Sequence, residues 1–511
     1  MRQTIHICNK NTLQNLLVEI LAITFHIDKS LLPSQIDKSL GHLITKLKEN
    51  TWFLIELPYV DKIYRDSYYH YYSSKYGKYN RDCIKVSLFE EKIESADFRS
   101  KKKAESISKA YRGFFVIRPT EPSFLGRNII SPNVFNTKPF FYCAHEYEST
   151  VNGIKLKVTG FPHSSQDGET ISCAETTLWA LMNYFGEKYA YYRPITPSQI
   201  HTLLRNKTSE RSIPSCGLTI SQISFVLKEM GFGCKIYSEE EFKEAEFFRL
   251  LSCYIESGIP LAIGMDDFKA KESNNIGHAV IVIGRAEIEN DEIMKMPANI
   301  NLSDHHYKLL KSNEIDFYDY NDIQKTLIFI DDNQAPYQKG SMKNPVTHYD
   351  NEWSNVKIQH FVAPLYPKIY LEAAEAINYI KEFLFAGPNA LLPKTEVLLR
   401  FFLCSSRSFK NNLAYSDMQP DIKAIILETP LPKFVWIAEL SNKKLFIQNK
   451  RNGIIVIDAT EPSISDNKPL IFAAYQDSII LFDGPNDILT KYSLPLHSYN
   501  VFLNNLHIST Q

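Results

Sequence analysis

Between about residue 156 and residue 355 the chain presents helical patterns first and strand patterns afterwards, an order that limits it to an α+β arrangement. The helical half opens with Gln166-Asp-Gly-Glu-Thr-Ile-Ser-Cys-Ala-Glu-Thr-Thr-Leu-Trp-Ala-Leu-Met-Asn-Tyr-Phe-Gly186. Ser172 followed by Glu175 is a capping-box pattern, which predicts Ser172 as N-cap and Cys173 as the first helical residue. Leu178, Leu181, Met182 and Phe185 recur at helical spacing beside Trp179, and Gly186 is a candidate stop. Thr196-Pro197-Ser198 predicts a second helix running to Leu204, and residues 219–230 a third, ending at Gly231. The strand half holds Ser257-Gly-Ile-Pro-Leu-Ala-Ile-Gly264, Gly277-His-Ala-Val-Ile-Val-Ile-Gly284 and Thr326-Leu-Ile-Phe-Ile330, the last ending at Asp331-Asp332-Asn333. Residues 285–325 are polar and weakly periodic, and read as an insertion between strands.

Both flanks differ from this centre. Residues 1–50 show helical spacing, predicting two helices separated by a Leu32-Pro33 turn, and 52–57 resemble a short strand. The tyrosine-rich stretch 64–79 reads either as an amphipathic segment with half-buried rings or as a partner-binding surface. Lys101, Lys102 and Lys103 read as a solvated loop. Residues 370–385 form a helical link to a last region expected to be mainly β, from Phe401, 434–439, 445–448 and 453–457. Gly113-Phe-Phe-Val-Ile-Arg-Pro-Thr-Glu-Pro-Ser123 and Gly453-Ile-Ile-Val-Ile-Asp-Ala-Thr-Glu-Pro-Ser463 share a motif, followed by Lys138-Pro-Phe-Phe-Tyr-Cys-Ala144 and Lys468-Pro-Leu-Ile-Phe-Ala-Ala474. Each pair reads as strand, turn, strand, which suggests either a duplicated β module or convergence of two short segments. The expected division is 1–155 (helices, then β-rich), 156–355 with its insertion, and 356–511 (linker helix, then β-rich).

The 511 residues suffice for three domains, and 44% apolar content, 23% charged content and a net charge of -1 give no bulk pull toward nucleic acid or anionic membrane. Nowhere do 18 apolar residues run together, so no membrane span is expected, and an apolar run near the start is interrupted by Glu19 without a cleavage site after it. The eight cysteines form no Cys-x-x-Cys pair and no zinc-type cluster, and read as reduced thiols of a cytoplasmic-type compartment. No Walker loop, Gly-x-Gly nucleotide motif or metal-ligand cluster is present, so no cofactor is predicted.

The chemistry resides in a chain order. A thiol in a first helical turn faces unpaired N–H groups and the positive end of the macrodipole, which favours thiolate. A thiolate needs a base, and an imidazole needs an acceptor on its second nitrogen to fix its tautomer. Cys173, then His278 at the head of a very apolar strand, then a carboxylate at a strand end supply these in turn. Taken singly, each has a structural reading: a small core thiol, a core histidine bonded to backbone, a carboxylate capping a turn.

Together, Gln166-Asp167, Ser172-Cys173-Ala174, Gly277-His278-Ala-Val-Ile-Val-Ile-Gly284 and Ile330-Asp331-Asp332 resemble the papain-like cysteine peptidases, and within them the C39-like peptidases. The resemblance covers about 200 residues. It implies a papain-like domain with a nucleophile-bearing helical half and an antiparallel sheet, flanked by a mixed N-terminal and a β-rich C-terminal domain. Cys173 is then nucleophile, His278 general base and acid, Asp331 its orienting residue and Gln166 an oxyanion-hole donor beside the backbone N–H of Cys173. The sequence departs from the family in three places. Ala174 stands where C39 peptidases carry Gly, Asp331-Asp332 stands where Asp-Pro is usual, and about 50 residues separate His278 from Asp331. Asp331 is the better positional match, with Asp332 the alternative orienting residue. The implied activity is that of a bacterial-type cysteine hydrolase on a protein or peptide substrate through a thioester. The same triad also serves acyl transfer and glutamine deamidation, and a silent scaffold whose flanks bind a partner protein has the same sequence signature.

Overall fold

The computed structural model describes residues 3–509 except 78, 121–122, 209–210, 268–276, 348, 350–352, 354, 387–389, 463, 465–467, 484–485, 487 and 504. The described residues form a mixed α+β structure on a five-stranded, an eight-stranded and a seven-stranded sheet, with two short ribbons beside them.

The N-terminal sheet runs Thr4–Asn9, Trp52–Tyr59, Cys83–Phe89, Tyr111–Ile117, Leu125–Ile130, each neighbour antiparallel. Its edge strand, Thr4–Asn9, lies where the sequence predicts only helix: six residues are too short to announce themselves, and their partner is supplied from residues 52–57. Asn9 then caps the helix Lys10–Phe25 by accepting from Thr12 N at 3.1 Å. Leu32 and Pro33 are not a separating turn; they start the next helix, Leu32–Lys46, where a proline costs no hydrogen bond. Leu13, Leu17, Ile36, Leu40 and Leu43 bury one face of this pair in the core shared with Phe53 and Phe115. The opposite face of the sheet carries the helix Lys62–His70 and the hairpin His145–Val151/Ile154–Gly160. The tyrosine-rich stretch is amphipathic there, with Tyr64 and Tyr72 buried and Tyr69 exposed.

The central sheet runs Gln338–Ser341, Thr326–Ile330, His278–Ala286, Leu261–Asp266, Lys357–Leu365, Gly233–Ser238, again antiparallel throughout. Ala279, Ile281 and Ile283 pack into the core of the helix Cys173–Lys188, whereas Val280 and Val282 pack with Phe247 and Leu251 of the helix Glu244–Glu256. A strand covered on both faces needs an unbroken apolar run, as found at 279–283. Gly186 does not stop the first helix, which continues to Lys188. A Cβ at Gly186 would lie 2.5 Å from Pro194, so the glycine serves close packing of the following loop.

The C-terminal sheet runs Asp316–Asp319, Glu396–Ser405, Phe434–Ser441, Gly453–Asp458, Leu470–Tyr475, Ser478–Asp483, Ile488–Ser493. Its first strand comes from the 285–325 insertion and pairs parallel to Glu396–Ser405, so the insertion binds two sheets together and is not a bare loop; it also holds the helices Asn290–Met294 and Asp304–Ser312. Residues 445–448, expected as strand, instead fall in and just after the helix Lys443–Ile447. The two shared-motif segments have different neighbours. Tyr111–Ile117 pairs with Cys83–Phe89 and Leu125–Ile130, and Phe140–Tyr142 leaves that sheet to join His278–Ala286. Gly453–Asp458 pairs directly with Leu470–Tyr475. The strand-turn-strand unit is therefore not repeated; Glu121, Pro122 and Ser463 of the motif lie outside the described residues. No described helix is long and apolar enough to cross a membrane.

Candidate active site

Cys173 is the first residue of its helix, with Ser172 extended at the N-cap (φ -100°, ψ -171°). The Glu175 carboxylate reaches back to accept from Ser172 N at 3.1 Å and from the Ser172 hydroxyl, and it accepts from Ser215 Oγ at 2.5 Å. The preceding loop is folded around a buried carboxylate. Asp167 Oδ1 accepts from the backbone N–H of Glu169, Thr170 and Ile171 at 2.9, 2.7 and 3.0 Å, with Gly168 at φ 71° making the turn. The N-terminal sheet region holds this loop from outside: Thr170 Oγ1 donates to Ser67 Oγ at 3.0 Å, Lys75 pairs with Glu169, and Arg118 donates to the Ser165 carbonyl at 2.6 Å. Cys173 is thus half-buried at the mouth of a fixed loop.

His278 heads its strand, and the register Ile281↔Ile330 brings the residues just after Ile330 alongside that head. Its Nε2 donates to Asp331 Oδ1 at 3.0 Å, and its ring also interacts with the Cys173 thiol. Asp331 is further held by Asn333 N on Oδ1 at 3.0 Å, by the Tyr349 hydroxyl on Oδ2 at 2.7 Å, and through its carbonyl by His163 Nε2 at 2.9 Å. His163 takes Asn128 on its other nitrogen at 2.8 Å, which fixes it as the neutral Nε2–H tautomer, and burial lowers its basicity. Trp353 stands edge-on to the His278 ring at 5.3 Å and 90°, stacked at 4.2 Å on Tyr349.

The two carboxylates differ sharply. Asp332 Oδ1 lies 3.7 Å from His278 Nε2, and both of its oxygens are buried without a hydrogen-bond partner. Burial, opposed by His278 and reinforced by Asp331, pushes Asp332 up to about 7. Burial alone would strip His278 of its proton. The Asp331 charge, hydrogen bonds to Asp331 and Cys173, and the more distant Asp332 outweigh it and hold the ring protonated well above the ordinary histidine range. Among the described residues, only His278, Asp331 and Asp332 gather three ligand-type atoms, within 4.8 Å. A divalent ion there would have to displace the His278–Asp331 hydrogen bond.

Each candidate from the sequence is therefore accounted for. Cys173, His278 and Asp331 come together, Asp332 adjoins them without orienting the ring, and Gln166 sits at the rim, its amide donating to Asn333 Oδ1 at 2.7 Å. Gln166, Asn333, Asp331 and His278 form one hydrogen-bonded chain. Sequence reasoning quoted Asp167 and Asn333 without giving either a role, although a carboxylate and an amide at a turn are a local signal, and it missed His163, Tyr349 and Trp353. These last three reach the site only through tertiary packing.

No protein-family model matches this chain, and no curated protein is detectably similar to it. What the arrangement can do follows from its chemistry: a half-buried thiol, an imidazole set between that thiol and a fixed carboxylate, and amide donors at the rim are the parts of acyl transfer through sulfur.

Proposed function

We propose that this chain is a papain-like cysteine hydrolase that cleaves a protein or peptide through a thioester acyl-enzyme. The observation that carries the reading is the His278 ring, which interacts with the Cys173 thiol and donates from Nε2 to Asp331, itself fixed by Tyr349 and Asn333. The order of elements supports it too, since the helix that starts at Cys173 packs on the antiparallel sheet whose central strand starts at His278.

In this reading the thiol proton already rests on His278, whose ring Asp331 holds protonated, and the Cys173 sulfur attacks the substrate carbonyl carbon as thiolate, forming a C–S bond while the carbonyl oxygen takes the negative charge. The backbone N–H of Cys173 and the Gln166 amide stabilise that oxyanion; losing one such donor costs on the order of a hundredfold in rate. His278 returns the proton to the departing amine as the C–N bond breaks. Water then attacks the thioester with His278 as base, releasing the acid and restoring the thiol. Asp331 stabilises the imidazolium and keeps one tautomer throughout.

The test is incubation of the protein with unfolded protein substrates, reading new chain ends and a mass adduct on Cys173. Cys173→Ala should abolish both, while the melting transition stays within about 1 kcal/mol of wild type because one small residue replaces another. Cleavage that persists in Cys173→Ala would overturn the assignment.

A further inference from the structure

Beside the catalytic residues lies a cavity of about 160 Å³ whose lining is divided between two parts of the chain. Gln166, Asp332 and Asn333 belong to the site, and Lys38, His42 and Leu43 belong to the helix Leu32–Lys46 of the N-terminal region. The space admits a short side chain. Leu43, Leu125 and Ala335 give it an apolar floor, against which the methylenes of such a side chain can rest.

Its charge is one-sided among the described residues. Lys38 and His42, four residues apart on one helix face, are exposed at the cavity, while Asp37 of the same helix lies along the neighbouring face against Gly41. Asp332 is the only carboxylate in the lining. It is buried, burial keeps it largely uncharged below about 7, and the Arg118 guanidinium acts on it from the protein side. The Lys38 ammonium with the His42 ring beside it, over a small, half-apolar pocket, suits a carboxylate on a short aliphatic stem.

We propose that this cavity is a substrate subsite that takes a carboxylate carried next to the scissile bond, with Lys38 and His42 as its recognition residues. The proposal rests on the cysteine-hydrolase reading of the adjoining site, and it gives the N-terminal region a role in choosing the substrate. The carboxylate can come from an Asp or Glu side chain or from a chain terminus.

Two measurements test it and separate it from the hydrolase reading. The first is the rate of Cys173 alkylation by N-iodoacetyl glutamic acid α-amide against N-iodoacetyl glutamine α-amide. The acid should react about fivefold faster, a modest charge-assisted preference at a partly exposed site. The ratio should fall to about one in Lys38→Ala/His42→Ala and return with Lys38→Arg in an otherwise wild-type chain. A ratio of about one in the wild type overturns the proposal, as does an unchanged ratio in the double variant. The second is cleavage of matched peptides carrying Glu or Gln on either side of the scissile bond, as C-terminal acids and as amides. Preference for internal Glu identifies a side chain as the source, and preference for the free acid alone identifies a chain terminus. Cleavage without charge preference overturns the subsite and leaves the hydrolase reading intact. Charge-selective alkylation with no peptide cleaved does the reverse.

Discussion

The strand His278–Ala286 carries a buried charge cluster near each end, about 24 Å apart at strand rise, and the two are built on opposite principles. At the far end Arg285 pairs with Glu256, whose other oxygen accepts from Arg400 at 3.2 Å; Arg400 reaches Glu439 at 3.0 Å, and Arg451 reaches it at 3.2 Å. Burial would raise Glu256, but Arg285, Arg400 and Lys325 outweigh it and hold the carboxylate at about 2. At the near end Asp332 is equally buried, has no hydrogen-bond partner and is pushed up to about 7. Two carboxylates, both removed from water, move in opposite directions because one is hydrogen-bonded to two guanidinium groups and the other shares an imidazole with a second carboxylate, Arg118 being the smallest influence on it. The satisfied cluster joins the central and C-terminal sheets. The unsatisfied one lies beside the His278 ring.

Four experiments break or sharpen this contrast, in order of expected size. Asp331→Asn should lower the turnover number about a thousandfold, equivalent to about 4 kcal/mol at 1.36 kcal/mol per tenfold, because His278 loses the negative charge that stabilises its imidazolium. Its melting transition should move little. A loss similar in Asp332→Asn would mean that the hydrogen-bond geometry does not distinguish the two carboxylates. Glu256→Gln should cost about 3–5 kcal/mol in denaturant unfolding, since it leaves Arg285 buried without its anion and Arg400 with Glu439 alone, while activity per folded molecule is kept. The sign with pH follows from the lowered value. Glu256 contributes its full stability above its ordinary 4.5 and loses it as pH falls toward about 2, so the variant should have a flatter acid limb.

Asp332→Asn should reduce turnover by about tenfold or less and stabilise the protein at neutral pH. Here the folded-state value is raised above the ordinary 3.8, so the wild type loses stability through this group as pH rises from about 4 to about 7. The gap between variant and wild type should therefore open over that window, and unfolding curves at pH 4 and pH 8 read it directly. Tyr349→Phe removes one hydrogen bond to Asp331 and should cost about 1 kcal/mol in stability and a few-fold in rate. A larger rate loss would place Tyr349 beside Asp331 in fixing the ring.

Much of the near end was legible in the sequence because its signals are local. A capping box announces the helix that starts at Cys173, an apolar run between glycines announces the strand headed by His278, and Asp331 follows the last residue of another strand. The choice between Asp331 and Asp332 was not legible, since neighbouring residues at a strand end point to different sides and only the register decides which meets the ring. Tyr349 and Trp353 were invisible for the same reason, as nothing in their own segment records what it packs on. The far end left no signal at all. Glu256, Arg285, Arg400, Glu439 and Arg451 sit on five separate elements, and the parallel pairing of Asp316–Asp319 with Glu396–Ser405 links an apparently featureless insertion to a strand of another sheet.

The central claim is that Cys173 and His278 form an activated pair, and the direct measurement is iodoacetamide alkylation across pH with peptide mapping. Burial pushes the Cys8, Cys143 and Cys234 thiols up to about 12 and those of Cys83, Cys253 and Cys404 well above the ordinary range, which leaves a quiet background. The account predicts that Cys173 labels rapidly well below the pH of about 8.5 at which free thiols ionise, and that His278→Ala removes this reactivity. Labelling of Cys173 no faster than that of exposed Cys216 at every pH, or unaffected by His278→Ala, would contradict it.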